Sequence, residues 1–498
     1  MARRGSGCPG AKEAGAPGRN LGGVAWSNES SEFRTAFERA ERWIEAYYND
    51  PRRFPVLARV DPGYLVRALP AEAPEAPEPF EAIFADFERL IIPGVTHWNH
   101  PRFFAYFAIS AAPITVVAEA LAAALDINAM VWKTSPAATE LEDVTLEWLR
   151  KLLGLDAGFH GIVYDTASIS GFTALAAARE ALDLGIRERG MTGRDDLPAL
   201  RLYQTEHTHS HVEKGAIALG LGRENVVKIS CDENFAMRPD ALETAISDDL
   251  ARGRKPMCIV ATVGTTSTTS SDPVPAVAEI AKKHGVWLHV DAAYAGPAAI
   301  LPEFRHILAG SEGADSLVLN PHKWMFVPVD LSVLYIRNMD VLRRAFSLSA
   351  VYLELPDEPV HNYMDYGLQL GRRFRALKFW FALRHYGAEG MRARLRGHIA
   401  LAQEFAAWVE AEPDWEVLAP HPLSCVCFRH VPPGLAGEAI DAHNVRIIDD
   451  VNASGEMFIS STRLHDRLAL RLAIGNERTT RDDVKLAWEI LRSAALSP

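Results

Sequence analysis

Cysteine is scarce in this sequence, long hydrophobic runs are missing, and basic residues are outnumbered by acidic ones. Each shortage excludes something. Cys8, Cys231, Cys258, Cys425 and Cys427 are few, odd in number and scattered, which fits a reducing compartment and not a disulfide framework. Cys425 and Cys427 alternate along an expected strand, too close for a CxxC redox or zinc pair, and read as structural. The first thirty residues, rich in Gly, Ala and Arg, hold no apolar core of signal-peptide length and are expected to form a disordered tail. The longest apolar stretch, 113–132, is interrupted by Glu119 and Asp126 and falls short of a membrane span, so the cytoplasm is the expected location. With 52 basic against 64 acidic residues the net charge is −12, and no long Lys/Arg run offsets it, so neither nucleic acid nor a membrane surface is an expected partner. No GxxxxGK is present, and LGLGREN lacks the third glycine of a dinucleotide fingerprint.

What is present describes a globular chain of 498 residues, 48% hydrophobic and 23% charged, too long for one core. FRTAFERAERWIEAYY carries helical periodicity, and the Pro-rich PAEAPEAPEP at 70–79 breaks it. Ser135 followed by Pro136 reads as a helix start; Leu141, Val144, Trp148 and Leu152 would form its apolar face and Gly154 its end. Beyond it, GIVYDTAS, CIVATVG, VWLHVDAAY and SLVLN alternate with Ala-rich helical stretches, the pattern of an α/β fold with a mostly parallel sheet. After Arg375 come a helical stretch, strand-like CVCFRHV and LALRLAIG, and a closing helix near DDVKLAWEILRSA. The expected division is a tail over 1–30, a helical N-terminal domain over 31–112, a large α/β domain over 113–380 and a small α+β domain over 381–498.

Ligands of open α/β sheets sit beyond the carboxyl ends of the strands. Asp291 ends the apolar run VWLHVD, where an unpaired charge would be costly; a helix cap or a buried salt bridge is the plain alternative. In LNPHKW, Lys323 follows another strand, and a crowded, desolvated amine there would be unprotonated and ready to meet a carbonyl. Together the two suit an aldehyde cofactor with a basic pyridine nitrogen: Lys323 holds the aldehyde and Asp291 keeps the ring protonated. In DTASISGFTALAAARE, Thr166, Ala167 and Ser168 lead into a helix whose free N–H groups could cradle a phosphate, although such caps usually bind nothing. His207, His209 and His211 recur at period two and would share one face of a strand, which raises a metal site as a competitor; no ligand-spaced carboxylate except Glu213 accompanies them.

The blocks HVDAAYAG and NPHKW, with THWNHPRFFAYF, SPAATELE, ATVGTT, PEFRHIL and GRRFRALKFW in register, resemble the group II pyridoxal-phosphate-dependent decarboxylases, most closely the aromatic-L-amino-acid decarboxylases. The resemblance runs from about Phe33 to the last helix. It implies the fold of the aspartate aminotransferases (fold type I), pyridoxal 5'-phosphate as cofactor, no metal, an amino-acid substrate and a homodimer with active sites at the subunit interface. It implies that Lys323 is the imine lysine, Asp291 the partner of the pyridinium nitrogen and His209 the imidazole stacked on the ring, leaving His207 and His211 without a role. Ala167, Ser168 and Asn320 match phosphate-binding positions, with His322 beside them, and Thr266 and Ala293 match residues lining the cofactor.

In the family a loop tyrosine returns a proton to the α-carbon after carbon dioxide leaves. Tyr352, in SAVYLELPDEPVHNY, matches it, and the surrounding Pro and acidic residues suit an exposed, mobile lid. A phenylalanine there makes aldehydes instead, so Tyr352 argues for the amine. Trp98, Tyr106 and Phe107 match the aromatic walls of the side-chain pocket. The sequence departs from the animal enzymes at Ala108, Ile109 and Met130, where they carry proline, threonine and an aromatic residue, and YDTASISG departs from the usual glycine-serine-alanine-serine run. The expected reaction is decarboxylation of an aromatic L-amino acid; the alternatives are an aldehyde synthase, another pyridoxal-phosphate reaction such as an aminotransferase, decarboxylation of a non-aromatic amino acid, and a non-catalytic scaffold.

Overall fold

The computed structural model describes residues 26–348 and 360–496. Its centre is a sheet of seven strands: β1 (His160–Tyr164), β2 (Leu200–Thr205), β3 (Val226–Ile229), β4 (Lys255–Thr262), β5 (Trp287–Asp291), β6 (Ser316–Leu319) and β7 (Ser332–Ile336), in spatial order β1-β7-β6-β5-β4-β2-β3. Only β7 opposes its neighbours; every other pairing is parallel. β5, β6 and β7 are buried throughout, which is why they read as near-continuous apolar runs. Successive side chains feed two cores: Ile259, Leu288, Val290, Leu317 and Val333 enter one face, while Cys258, Val260, Val318 and Leu334 enter the other. Fully burying such an aliphatic side chain is worth about 1.5–3 kcal/mol. The carboxyl ends of β1, β2, β4, β5 and β6 therefore meet along one sheet edge.

A second, antiparallel sheet joins β8 (Trp415–Val417), β9 (Cys425–His430), β10 (Ser460–Leu464) and β11 (Arg467–Ala473) in the order β10-β11-β9-β8. Cys425 and Cys427 lie buried on β9. The long helix Arg375–Glu410, kinked at Gly387 where φ is 61°, packs against helices Pro113–Leu125 and Pro136–Leu153 at one end and against β8 and β9 at the other. The segment 103–108 is stitched to this second sheet: Phe104 N–H donates to Phe458 O, and Ala473 N–H donates to Phe104 O.

The fold class expected from sequence holds, and the helix start at Ser135 does too: its side chain accepts from Ala138 N–H, and Gly154 ends the helix at φ 71°. The face of that helix is a correction. Val144 and Trp148 are 43% and 40% exposed, whereas Glu142, Thr145, Leu146 and Leu149 point inward. The reason is polar. Glu142 accepts from Arg372 Nη2 (2.7 Å) and from Val163 N–H (2.9 Å), and Thr145 returns its hydroxyl to Leu141 O (2.7 Å), so two residues that look like surface are satisfied inside. The first helix, Trp26–Asn49, opens within the stretch read as a tail. Strands β2, β3, β7, β8 and β10 were not singled out from sequence. Among the described residues, no helix is long and apolar enough to cross a membrane.

Candidate active site

Five strand ends deliver polar residues to one cavity of about 200 Å³ at the carboxyl edge of the large sheet. From β1 come Thr166, Ala167 and Ser168; from the turn after β2, His209 and His211. β4 contributes Thr262, Gly264 and Thr266; β5, Asp291, Ala293 and Tyr294. Asn320, His322 and Lys323 follow β6. Every cofactor-contacting residue expected from the sequence therefore borders a single space. A larger recess, about 880 Å³, opens at the opposite edge around Lys282, Trp287 and Asp315, and none of these residues reaches it.

Asp291 is buried, and among the described residues no Lys, Arg or His forms an ion pair with it. Its Oδ1 accepts from Ala293 N–H at 3.1 Å. Burial alone would raise its pKa, but the fields of His211, His289 and Lys323 and the Ala293 N–H outweigh that and hold the carboxyl below its usual value, so it stays an anion. Lys323 shows the opposite balance: desolvation lowers its pKa, Asp291 acts to raise it, Arg471 acts to lower it, and the net shift is downward, toward a neutral amine. Its Nζ lies 5.5 Å from the centre of the Phe107 ring.

The helix Ala167–Glu180 starts at this edge. Thr166 N–H is taken by Asp165 Oδ1 at 2.6 Å, whereas the N–H groups of Ala167 and Ser168 have no partner among the described residues, which leaves two donors at a helix N-terminus for an anion. Ser170 Oγ, 2.8 Å from Ser332 Oγ, ties this helix to the start of β7. Beside it, the Oδ1 atom of Asn320 is buried without a partner. His322 Nδ1 accepts from Leu331 N–H, and burial with the nearby Lys323 and Lys378 pushes its pKa down to about 3, so its ring is neutral.

The three histidines do not share a strand face, because β2 ends at Thr205 and a helix begins at His211. His207 turns away, edge-on to Phe235 at 5.4 Å. His209 faces the cavity, and its Nδ1 lies 3.0 Å from Nδ1 of His211, a residue that the resemblance left without a role. His211 is buried, its pKa is pushed down to about 4 chiefly by burial, and its Nε2 has no partner. Gly171 makes room for it, since a Cβ there would stand 2.5 Å from that Nε2. Among the described residues no trio of His, Cys, Asp or Glu side chains is arranged to hold a metal.

Of the aromatic candidates, Phe107 enters the cavity and stacks on Tyr294 at 3.7 Å, with Trp324 continuing the column at 4.9 Å from Tyr294. Trp98 and Tyr106 stack on each other outside it, 5.7 Å apart and 37% and 50% exposed. Ala108 packs behind them against Gly475, and neither Ala108, Ile109 nor Met130 borders the cavity. Tyr352 lies outside the described residues. Sequence reasoning named His211 without giving it a role here and missed Thr262, Gly264 and Tyr294, which stood in the quoted blocks ATVGTT and HVDAAYAG with nothing to mark them as single residues.

A buried carboxylate with no ion pair among the described residues, a desolvated amine whose pKa is lowered, two free N–H groups and an orphaned amide oxygen form a set that fits pyridoxal phosphate. The comparisons agree. The pyridoxal-dependent decarboxylase conserved domain matches residues 62–431. Tryptophan decarboxylase 2 of Oryza sativa subsp. japonica is 39% identical over 487 residues, 95% of this chain and 97% of that protein. The phenylacetaldehyde synthase of Arabidopsis thaliana is 39% identical over 464 residues, 91% and 94% of the two chains. The crystal structure of Oryza sativa TDC with PLP and tryptamine superposes with a TM-score of 0.90 at 32% identity, covering 93% of this chain and 98% of that one. A family model spanning most of the sequence, on a fold and cavity suited to its cofactor, makes this chain a member of the pyridoxal-dependent decarboxylase family.

Proposed function

We propose that the protein decarboxylates an aromatic L-amino acid to the corresponding amine, with Lys323 carrying the cofactor aldehyde and Asp291 facing its ring nitrogen. The observation that carries this reading is the pairing, around one cavity, of a buried carboxylate lacking a cation with a desolvated amine. When bound, pyridoxal phosphate supplies an electron sink for the pair released as the α-carboxylate departs. The chain's own residues do the rest. Asp291, held anionic, stabilises positive charge at the ring nitrogen. The Ala167 and Ser168 N–H groups, with the Ser168 hydroxyl, Asn320 and His322 and with Thr166 beside them, would receive the phosphate, while Thr266 and Ala293 would line the cofactor. His209 would cover one ring face, and His211, its pKa lowered to about 4 and its Nδ1 3.0 Å from that of His209, would fix the orientation of His209. Tyr352 returns a proton to the α-carbon.

An aromatic substrate is supported by Phe107 in the cavity, by the Trp98–Tyr106 pair near it, and by relatives named for tryptophan and tyrosine. Aldehyde synthesis is the second reading, favoured by one fact: a phenylacetaldehyde synthase is as similar as the rice decarboxylase. Borohydride trapping followed by peptide mapping, with carbon dioxide release measured across the twenty amino acids, tests both cofactor and substrate. A colourless protein with no adduct on Lys323 ends the proposal; peroxide and aldehyde in place of amine transfer it to the second reading.

We also propose that two copies pair. Val117, Leu121 and Leu125 on one helix, and Val144 and Trp148 on another, are exposed on helices that both pack against Arg375–Glu410. Trp148→Glu should lower the mass measured by light scattering from dimer to monomer.

A further inference from the structure

Arg471 belongs to no motif in the sequence and does not border the cavity, yet its guanidinium is buried and joins three segments that shape it. It projects from the middle of the second sheet, where β11 pairs it with Ser460 on β10 and Cys427 on β9. Its Nη1 donates to Tyr106 O (2.9 Å) and Ser460 Oγ (3.0 Å), and its Nε donates to Ser267 O (2.9 Å). Ser267 lies in the turn that carries Thr266, and the Cys427 thiol meets the same carbonyl at 3.1 Å. Tyr106 is caught from both sides, because its own N–H donates to Ser460 Oγ at 3.2 Å. That grip has a consequence. Tyr106 has φ 52°, a left-handed conformation that a bulky residue rarely adopts unless its surroundings impose it, and this corner turns Phe107 into the cavity while Tyr106 faces out. The guanidinium carbon then lies 5.0 Å from the Phe107 ring centre, and Lys323 Nζ lies 5.5 Å from the same centre.

We propose that Arg471 is a positioning residue of the cofactor pocket: it locks the Tyr106–Phe107 corner and the Thr266 turn in place and sets a fixed positive charge behind Lys323. The groups whose fields Lys323 shares are Asp291, His209, His211, His322 and Arg471. The three histidines are held toward the neutral form, so Asp291 and Arg471 are the standing charges that compete over the amine. Asp291 favours the ammonium and Arg471 opposes it. Lys323 must shed its proton to add to an aldehyde, so Arg471 widens the pH range in which the cofactor can be loaded. The inference rests on Lys323 being the cofactor lysine, which hydride trapping on the wild-type protein tests separately.

The test uses cofactor-free full-length protein and does not depend on turnover. The rate at which added pyridoxal phosphate forms the visible lysine-bound chromophore is followed against pH for the wild type, Arg471→Lys and Arg471→Gln, with thermal melting in parallel. Arg471→Lys keeps the charge and should keep the midpoint of the pH profile. Arg471→Gln should move it upward by roughly one unit and weaken cofactor binding about tenfold. A glutamine variant whose midpoint equals that of the wild type, or Lys and Gln variants that shift alike, overturns the electrostatic role and leaves Arg471 a structural tie. Should the glutamine variant not fold, Ser460→Ala removes the hydroxyl shared by Arg471 and Tyr106; it should weaken cofactor binding without moving the midpoint, and unchanged affinity overturns the clamp. Absence of any adduct on wild-type Lys323 refutes the proposed function instead, a result distinct from all of these.

Discussion

The two edges of the large sheet treat buried charge in opposite ways. At the amino edge, Asp249 is buried and fully answered: Arg201 Nε at 2.9 Å, Arg254 Nη1 at 2.8 Å and the Tyr203 hydroxyl at 2.9 Å all donate to it. Asp315, near the same edge, accepts from Leu288 N–H. At the carboxyl edge, Asp291 is equally buried but has no ion pair among the described residues, and Asn320 Oδ1 and His211 Nε2 lack partners. A sheet edge whose polar groups satisfy one another is structure; one whose polar groups converge on a cavity and stay unanswered is arranged for something that is not protein. Cavity size alone would have misled, because the larger recess lies at the edge where the buried carboxylates are answered.

Four measurements bear on that contrast. The largest effect is expected at Lys323: Lys323→Ala should reduce kcat by more than about 10⁴-fold with little change in melting temperature. A stable variant with substantial activity would place the chemistry elsewhere. Asp291→Asn and Asp249→Asn form a matched pair. The first should lower kcat by roughly 10²–10³-fold at saturating cofactor while leaving the fold intact. The second should cost about 3–5 kcal/mol of stability, as expected when one partner of a buried ion pair is removed, with kcat per folded molecule unchanged. If the two variants behave alike, the distinction between the edges fails.

Tyr352→Phe should slow amine formation by about 10²–10⁴-fold and divert product to aldehyde, consuming oxygen and releasing ammonia and hydrogen peroxide; coupled peroxide and amine assays read both. The last effect is read on stability against pH and not on turnover. His211, His289 and His398 are buried, with pKa values pushed from 6.5 to about 4 chiefly by desolvation. Between those values the unfolded chain binds more protons than the folded one, so stability should fall as pH drops from 6.5 toward 4, by up to about 1.4 kcal/mol per unit for each group. Asp272, raised to about 6 by burial, acts in the opposite direction over part of that window. Urea unfolding at successive pH values checks the sign, and a flat profile would mean that folding does not depress the pKa values of these imidazoles.

How much was legible follows the same physics. HVDAAYAG and NPHKW stand out because an acid and an amine that terminate apolar strands are costly unless used, and strand direction sends both to one edge. His211 was not legible. Its spacing from His207 and His209 imitates a strand, and only the turn after Thr205, with Gly171 leaving space on the neighbouring helix, brings it to the cavity. The helix Pro136–Leu153 misled for a related reason. Two residues of its expected apolar face, Val144 and Trp148, are exposed, while Glu142 is inside because Arg372, far along the chain, reaches it. Arg471 carried no signal at all, since its grip on Tyr106 and Ser267 spans segments that only packing unites.

The sequence by itself determined the α/β class, the strand-end positions of Lys323 and Asp291 and the family resemblance, because those depend on local periodicity and on residue types that are expensive to bury. Tertiary structure alone decided which buried charges are answered, which histidine supports another, which helix face is the core and why Phe107 enters the cavity while Tyr106 does not. Those are outcomes of partners distant in sequence, and the energy of a buried polar group depends on the partner it meets, which no local pattern records.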